Sequence, residues 1–219
     1  MFKMSLYDAY IGLLSLILLT CLASLSMQRL RPLIKTVALQ GIAVTMTTLL
    51  YQQNVHFLLP FIMIIVKGVL IPMLLLYTLK KVSIKSEGKP IVGFHASVLL
   101  GILFLFMVIH YSHDKLSKLL ADQSFSFSVA VVTIACGLFL MMARRKALTQ
   151  VVGYLIMDNG IYLMGALFLK NIPFVLEFAI LLDLLVAVMV MGIILHKINE
   201  TFNSIDTTSL ATLKDRWHE

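Results

Sequence analysis

Charge is what this chain has least of. Asp, Glu, Lys and Arg together make up 13% of its 219 residues, and acids are outnumbered by bases 11 to 18. Soluble domains carry about a quarter charged residues, so a water-facing globule is excluded. Cysteine is also scarce. Cys21 and Cys136 stand in separate apolar blocks and cannot on their own supply the ligands of a zinc or iron–sulfur site, so the chain is expected to hold no metal and no redox centre. Low-complexity runs and internal repeats are absent, and the longest polar pieces are residues 112–124 and the tail from Asn199, too short for a soluble domain.

Apolar residues are abundant: 60% of the chain is hydrophobic, and its mean hydropathy is +0.96. They fall in blocks of about 20 residues, the length that ~30 Å of hydrocarbon demands of a helix. Strand barrels are excluded, because their spans are short and alternate apolar with polar residues. The blocks predict an all-α polytopic membrane protein with seven transmembrane helices, near residues 6–26, 33–51, 57–79, 91–111, 125–143, 148–169 and 172–196. The first block does not end in a small-x-small cleavage pattern and is expected to be kept as a span. Three parts of one integral membrane domain follow: a five-helix part, 1–143, a two-helix part, 144–198, and a tail, 199–219.

Bases alternate along the joints. The joints after helices one, three and five carry 3, 4 and 3 Lys or Arg, and the tail adds Lys197, Lys214 and Arg216. Lys3, Lys115, Lys118 and Lys170 are left for the other side, which puts the N-terminus outside and the C-terminus in the cytoplasm. The net charge of +7 thus records topology, and nucleic acid is not an expected partner.

Against this apolar background four ionisable residues stand out. Lys67 on helix three, Asp158 on helix six and Asp183 on helix seven each lie about ten residues, ~15 Å, inside their spans. A charge at that depth costs about 2.5–3.5 kcal/mol, and more if it faces lipid, so all three are expected to point into the bundle or into a neighbouring subunit. Glu177 lies ~9 Å along helix seven from Asp183 and about 120° around it, so these two acids can serve different neighbours. Tyr154, Asn159 and Tyr162 bracket Asp158 with hydrogen-bonding groups, Gly160 and Gly165 let another helix approach, and Gln40 on helix two can line the same path. Thr36, Thr47 and Thr48 are expected more often to bond their own helix backbone. Around Lys67, in "IIVKGVLIPML", Pro72 frees the carbonyl of Gly68, a local weakening that permits a polar cavity.

A static ion pair between Lys67 and one acid leaves a second deep carboxylate unmatched. A carboxylate with no base to neutralise it is driven to take up a proton, which is what a relay site needs.

The segments "QVVGYLIMDNGIYLMG", "FVLEFAILLDLLVAVMVMGIILHKI" and "NETFNSIDTTSLATLK" resemble the hydrogenase-4 component E family, whose last part is similar to the small K-type membrane subunit of respiratory complex I. The family's membrane lysine corresponds to Lys67 and its following acids to Glu177 and Asp183. Its usual glutamate beside the asparagine is Asp158 here, one methylene shorter. The resemblance implies an ion-translocating, in the first place proton-translocating, subunit in the membrane arm of a complex I-related hydrogenase of a bacterial or archaeal cytoplasmic membrane. It also implies antiporter-like and other small membrane subunits as neighbours, and a soluble hydrogenase-type arm carrying the nickel–iron and iron–sulfur centres. The chain itself would be a non-catalytic subunit of an oxidoreductase.

Two other functions compete. One is a purely structural subunit bracing antiporter-like neighbours. The other is a b-type cytochrome anchor, which needs two imidazoles at equal depth on facing helices. His56, His110 and His113 gather near one membrane face and His95 and His196 near the other.

Overall fold

The computed structural model describes residues 2–51, 58–81, 92–111, 123–168, 183 and 185–193. All the regular structure among them is helical: α1 (Phe2–Ser26), α2 (Leu30–Tyr51), α3 (Leu58–Ile65), a π-helical turn (Val66–Leu70), α4 (Ile71–Lys81), α5 (Phe94–Tyr111), α6 (Ser124–Ala143) and α7 (Ala147–Phe168). Residues 185–193 are helical as well. α3, the π turn and α4 run on as one span, Pro60–Lys80.

The seven-helix expectation is corrected here. Five helices among the described residues are long and apolar enough to cross a membrane: Leu6–Ser26, Leu30–Leu50, Pro60–Lys80, Ser124–Ala143 and Ala147–Phe168. The window 91–111 yields only the shorter apolar helix Phe94–His110. Val92 and Gly93 stay outside it, and the helix opens where Ser97 gives both its amide and its hydroxyl to the Gly93 carbonyl, each at 2.9 Å. At 1.5 Å per residue it covers ~25 Å of a ~30 Å core. Of the window 172–196 only Asp183 and residues 185–193 are described. The orientation of the two ends is reckoned from seven spans and goes with that count. The tail 199–219 lies outside the described residues.

Helices α1 and α2 form one hairpin, α6 and α7 another, and α2 packs across α7 while α1 packs across α6. The α6–α7 hairpin is the tightest part of the bundle, and glycine is the reason. A methyl group at Gly137 would sit 2.7 Å from the Gly153 carbonyl oxygen, and one at Gly160 would sit 2.7 Å from the Ile134 amide nitrogen. Both distances are inside van der Waals contact, so these backbones meet only because no Cβ intervenes.

At the α6–α7 turn the chain goes extended at Arg144, with φ −111° and ψ 145°. The Arg144 side chain is buried, donates 2.7 Å to the Leu25 carbonyl at the end of α1 and 3.4 Å to that of Val92, and lies 4.2 Å from the Phe94 ring. One guanidinium thus ties the turn to the ends of α1 and α5.

The core has two apolar clusters. One gathers Cys21, Leu25, Leu33, Val37, Ile71, Leu75, Cys136, Leu140, Val152, Leu155 and Val186. The other gathers Leu14, Ile17, Val44, Met63, Val129, Tyr162 and Leu163. On α7 the residues between Leu155 and Tyr162 include Asp158 and Asn159, and between Met63 and Ile71 of the third span comes Lys67. The buried charges therefore occupy a polar level between two apolar ones.

Candidate functional site

Lys67 sits in the π turn. There the Ile71 amide donates to the Val66 carbonyl five residues back, not four. Pro72 follows at once, has no N–H to give, and cannot carry the α ladder through this point, so the turn ahead of it widens. Lys67 is the buried residue of that turn. Across from it, Gly41 of α2 makes room: a Cβ there would lie 3.0 Å from Lys67 Cβ and 3.7 Å from Asn159 Oδ1.

In this space Lys67 Nζ pairs directly with Asp158 Oδ2. It also donates to Asn159 Oδ1 at 3.2 Å and lies 5.5 Å from the centre of the Tyr162 ring. Asp183 Oδ1 is 3.8 Å from the same nitrogen, close enough for an ion pair but beyond hydrogen-bond reach. Lys67 is 5% exposed, Asp158 0% and Asp183 3%. One ammonium thus stands between two carboxylates from different segments. Asp158 Oδ1 and both oxygens of Asp183 have no hydrogen-bond donor among the described residues. A cavity of about 10 Å³ touches Lys67 and Asn159, room for about one water at most.

The Tyr162 hydroxyl meets the hydroxyl of Thr48. Tyr154, one turn from Asp158 on the other side, is half-buried against the first apolar cluster. Gln40 goes elsewhere. Its amide donates 2.9 Å to the Cys21 sulfur, whose thiol in turn reaches the Thr133 hydroxyl at 3.5 Å, and Cys136 is the further partner of that thiol. The two cysteines, distant in sequence, come together with Gln40 and Thr133 inside the first apolar cluster. Thr36, Thr47 and Thr48 bond the carbonyls of Pro32, Ala43 and Val44 one turn back. His95 and His110 are exposed at opposite ends of α5. Glu177 and Lys170 lie outside the described residues.

Sequence reasoning alone passes over Gly41 and Arg144. A glycine on α2 at the depth of Lys67 is the signal for the first. For the second there is none, since a base in a joint reads the same whether it faces headgroups or folds inward.

An ammonium held by one carboxylate with another within reach can exchange its charge partner by a small movement, and a carboxylate with unmet acceptors can receive a proton. The arrangement combines a bound charge with a second place to put it.

Component E of hydrogenase-4 from Escherichia coli K12 is 27% identical to this chain over 150 residues, which covers 68% of the chain and 69% of that protein. The component E protein of Shigella flexneri matches with the same figures. An uncharacterised protein of Mycobacterium tuberculosis is 30% identical over 133 residues, 60% of each chain. No family model matches, and no solved structure does. At family level the chain is a distant but consistent match to the hydrogenase-4 component E proteins, and it is a multi-pass membrane protein related to them.

Proposed function

We propose that this chain is a proton-translocating subunit in the membrane arm of a complex I-related hydrogenase, seated in a prokaryotic cytoplasmic membrane. Lys67, Asp158 and Asp183 carry the charge. Asn159 and Tyr162 hold Lys67 in place, Tyr154 borders the path, and Glu177 continues it toward a neighbour. The neighbours are antiporter-like and other small membrane subunits, with a soluble hydrogenase-type arm that bears the nickel–iron and iron–sulfur centres. The chain itself supplies no electron-transfer group.

One observation carries this reading: a single buried lysine stands between two carboxylates, paired with Asp158 while Asp183 waits 3.8 Å away. A pair built only to lock two helices needs one acid. A second acid at the same level adds desolvation cost, about 2.5–3.5 kcal/mol on insertion scales, which function has to justify.

The direct Lys67–Asp158 contact favours one other reading, a static brace, and Asp183→Asn separates the two. The substitution keeps the Lys67–Asp158 pair and removes one buried charge, so subunit content by blot should stay normal under either reading. Under the relay reading, proton uptake by vesicles holding the complex should fall while turnover of the soluble arm continues uncoupled. Normal assembly with undiminished proton uptake would leave these residues as a brace. Repeating the assay with sodium in place of a proton gradient identifies the ion.

A further inference from the structure

A second feature lies on the outer side of the third span, away from Asp158. Helix α2 and the Pro60–Lys80 span diverge there around a groove of about 980 Å³. Its walls are apolar for most of their length, with Leu39, Ile42, Val69 and Met73 among them. One end is different. Arg31 and Lys35 from the first turns of α2 meet Lys80 from the last turn of α4, with Tyr77 beside them. All three bases are exposed, and so is Tyr77. The two helices run in opposite directions, so the start of one and the end of the other put these bases at the same membrane face.

We propose that this groove is a binding site for one anionic phospholipid, its head-group phosphate held by Arg31, Lys35 and Lys80 and an acyl chain laid along the apolar wall. The dimensions fit. From Arg31 to Ile42 is eleven residues of helix, ~16 Å, which is about half of a ~30 Å hydrocarbon core and so the depth of one leaflet. The charge fits too, since basic pockets between membrane helices take anionic head groups, and Arg reads phosphate with two donors at once. Tyr77 stands at the headgroup level, where an aromatic ring with a polar tip is at home. A transmembrane helix of a neighbouring subunit would need only the apolar wall and would leave three cations against its backbone at the groove's end.

The site also touches the polar level. The groove is floored by Gly68, in the turn that carries Lys67, and by Pro72 just after that turn. Pro72 and Ala38 line both this groove and the small cavity that reaches Lys67. A lipid lodged here braces the one stretch of the span that is not α-helical.

The test uses the whole chain in its own membranes, with a photoreactive benzophenone side chain in place of the exposed Met73. After irradiation the chain is purified and its mass read. The expected adduct is phosphatidylglycerol or cardiolipin, enriched about tenfold over its share of the membrane lipid, which is about 1.4 kcal/mol of preference. Arg31→Gln, Lys35→Gln and Lys80→Gln together should abolish the enrichment. A control with Arg29→Gln, Arg145→Gln and Lys146→Gln, which removes the same charge outside the groove, should keep it. A polypeptide adduct would mean that a neighbouring subunit or a second copy fills the groove, and would overturn the proposal. So would lipid captured in proportion to its abundance, or equal loss in both triple variants.

Discussion

Lys67 holds partners on α7 and faces Asp183 from another segment, so its removal differs from that of any single acid. Lys67→Met would leave Asp158 buried with no cation beside it, at a cost of about 3–5 kcal/mol. Lys67→Met combined with Asp158→Asn and Asp183→Asn should recover much of that loss, since neither carboxylate is then left buried without its cation; thermal unfolding of the extracted protein compares the two. Arg144 has a different weakness. Arg144→Ala strips the donors from the Leu25 and Val92 carbonyls, at about 1.5–3 kcal/mol for each bond to a charged group. Arg144→Lys should rescue only part of this, because a single ammonium lacks the planar fork that spans both carbonyls. Depth was legible in the sequence for Lys67, Asp158 and Asp183, because a charge inside an apolar run is an anomaly that counting places to within a turn. Azimuth was not. Gln40 stands at a similar level, yet it faces Cys21, and only the packed bundle decides which way a helix turns its polar residue.

At the scale of the helix, the π turn and the glycine seam make opposite demands. The seam between α6 and α7 tolerates no added atom. Gly137→Ala should therefore destabilise by about 1–3 kcal/mol, as overpacking does in a close-packed interior. Gly12→Ala on α1, where a Cβ would meet nothing within 4 Å, should be neutral or should stabilise by about 0.5–1 kcal/mol through better helix propensity. Unfolding midpoints of the two variants test the contrast. The π turn, in turn, depends on an interruption. Pro72→Ala would return an N–H to the ladder and let the span settle into α register, turning Lys67 away from Asp158. Proton uptake should fall in that variant while thermal stability holds or rises, unlike Lys67→Met, which should lose both. Helix type was readable from composition throughout, and the weakness at Gly68–Pro72 was readable from those two residues. Helix length at residues 91–111 was not, because hydropathy runs smoothly through Val92 while the hydrogen bonds begin only at Gly93. The partner of Gly137 was likewise hidden, since a glycine seam is a property of two helices at once.

Taken whole, the bundle is built to be covered. Leu19, Phe61, Met73, Leu99, Leu103, Phe106 and Met142 are exposed all round it, a surface for lipid or for other membrane helices. The thiols sit the other way. Cys21 is 0% exposed, while Cys136, at 3%, also lines an apolar cleft between α5 and α6 of about 400 Å³. This gives the protein a built-in gauge. Burial keeps both thiols from a maleimide, which adds to the thiolate, so Cys21 can be alkylated only when α1 lifts from α6 and water enters. The rate at which Cys21 is lost to the reagent then follows the share of time the bundle spends open, with no residue introduced to report it, and the same vesicles that register proton uptake can register it.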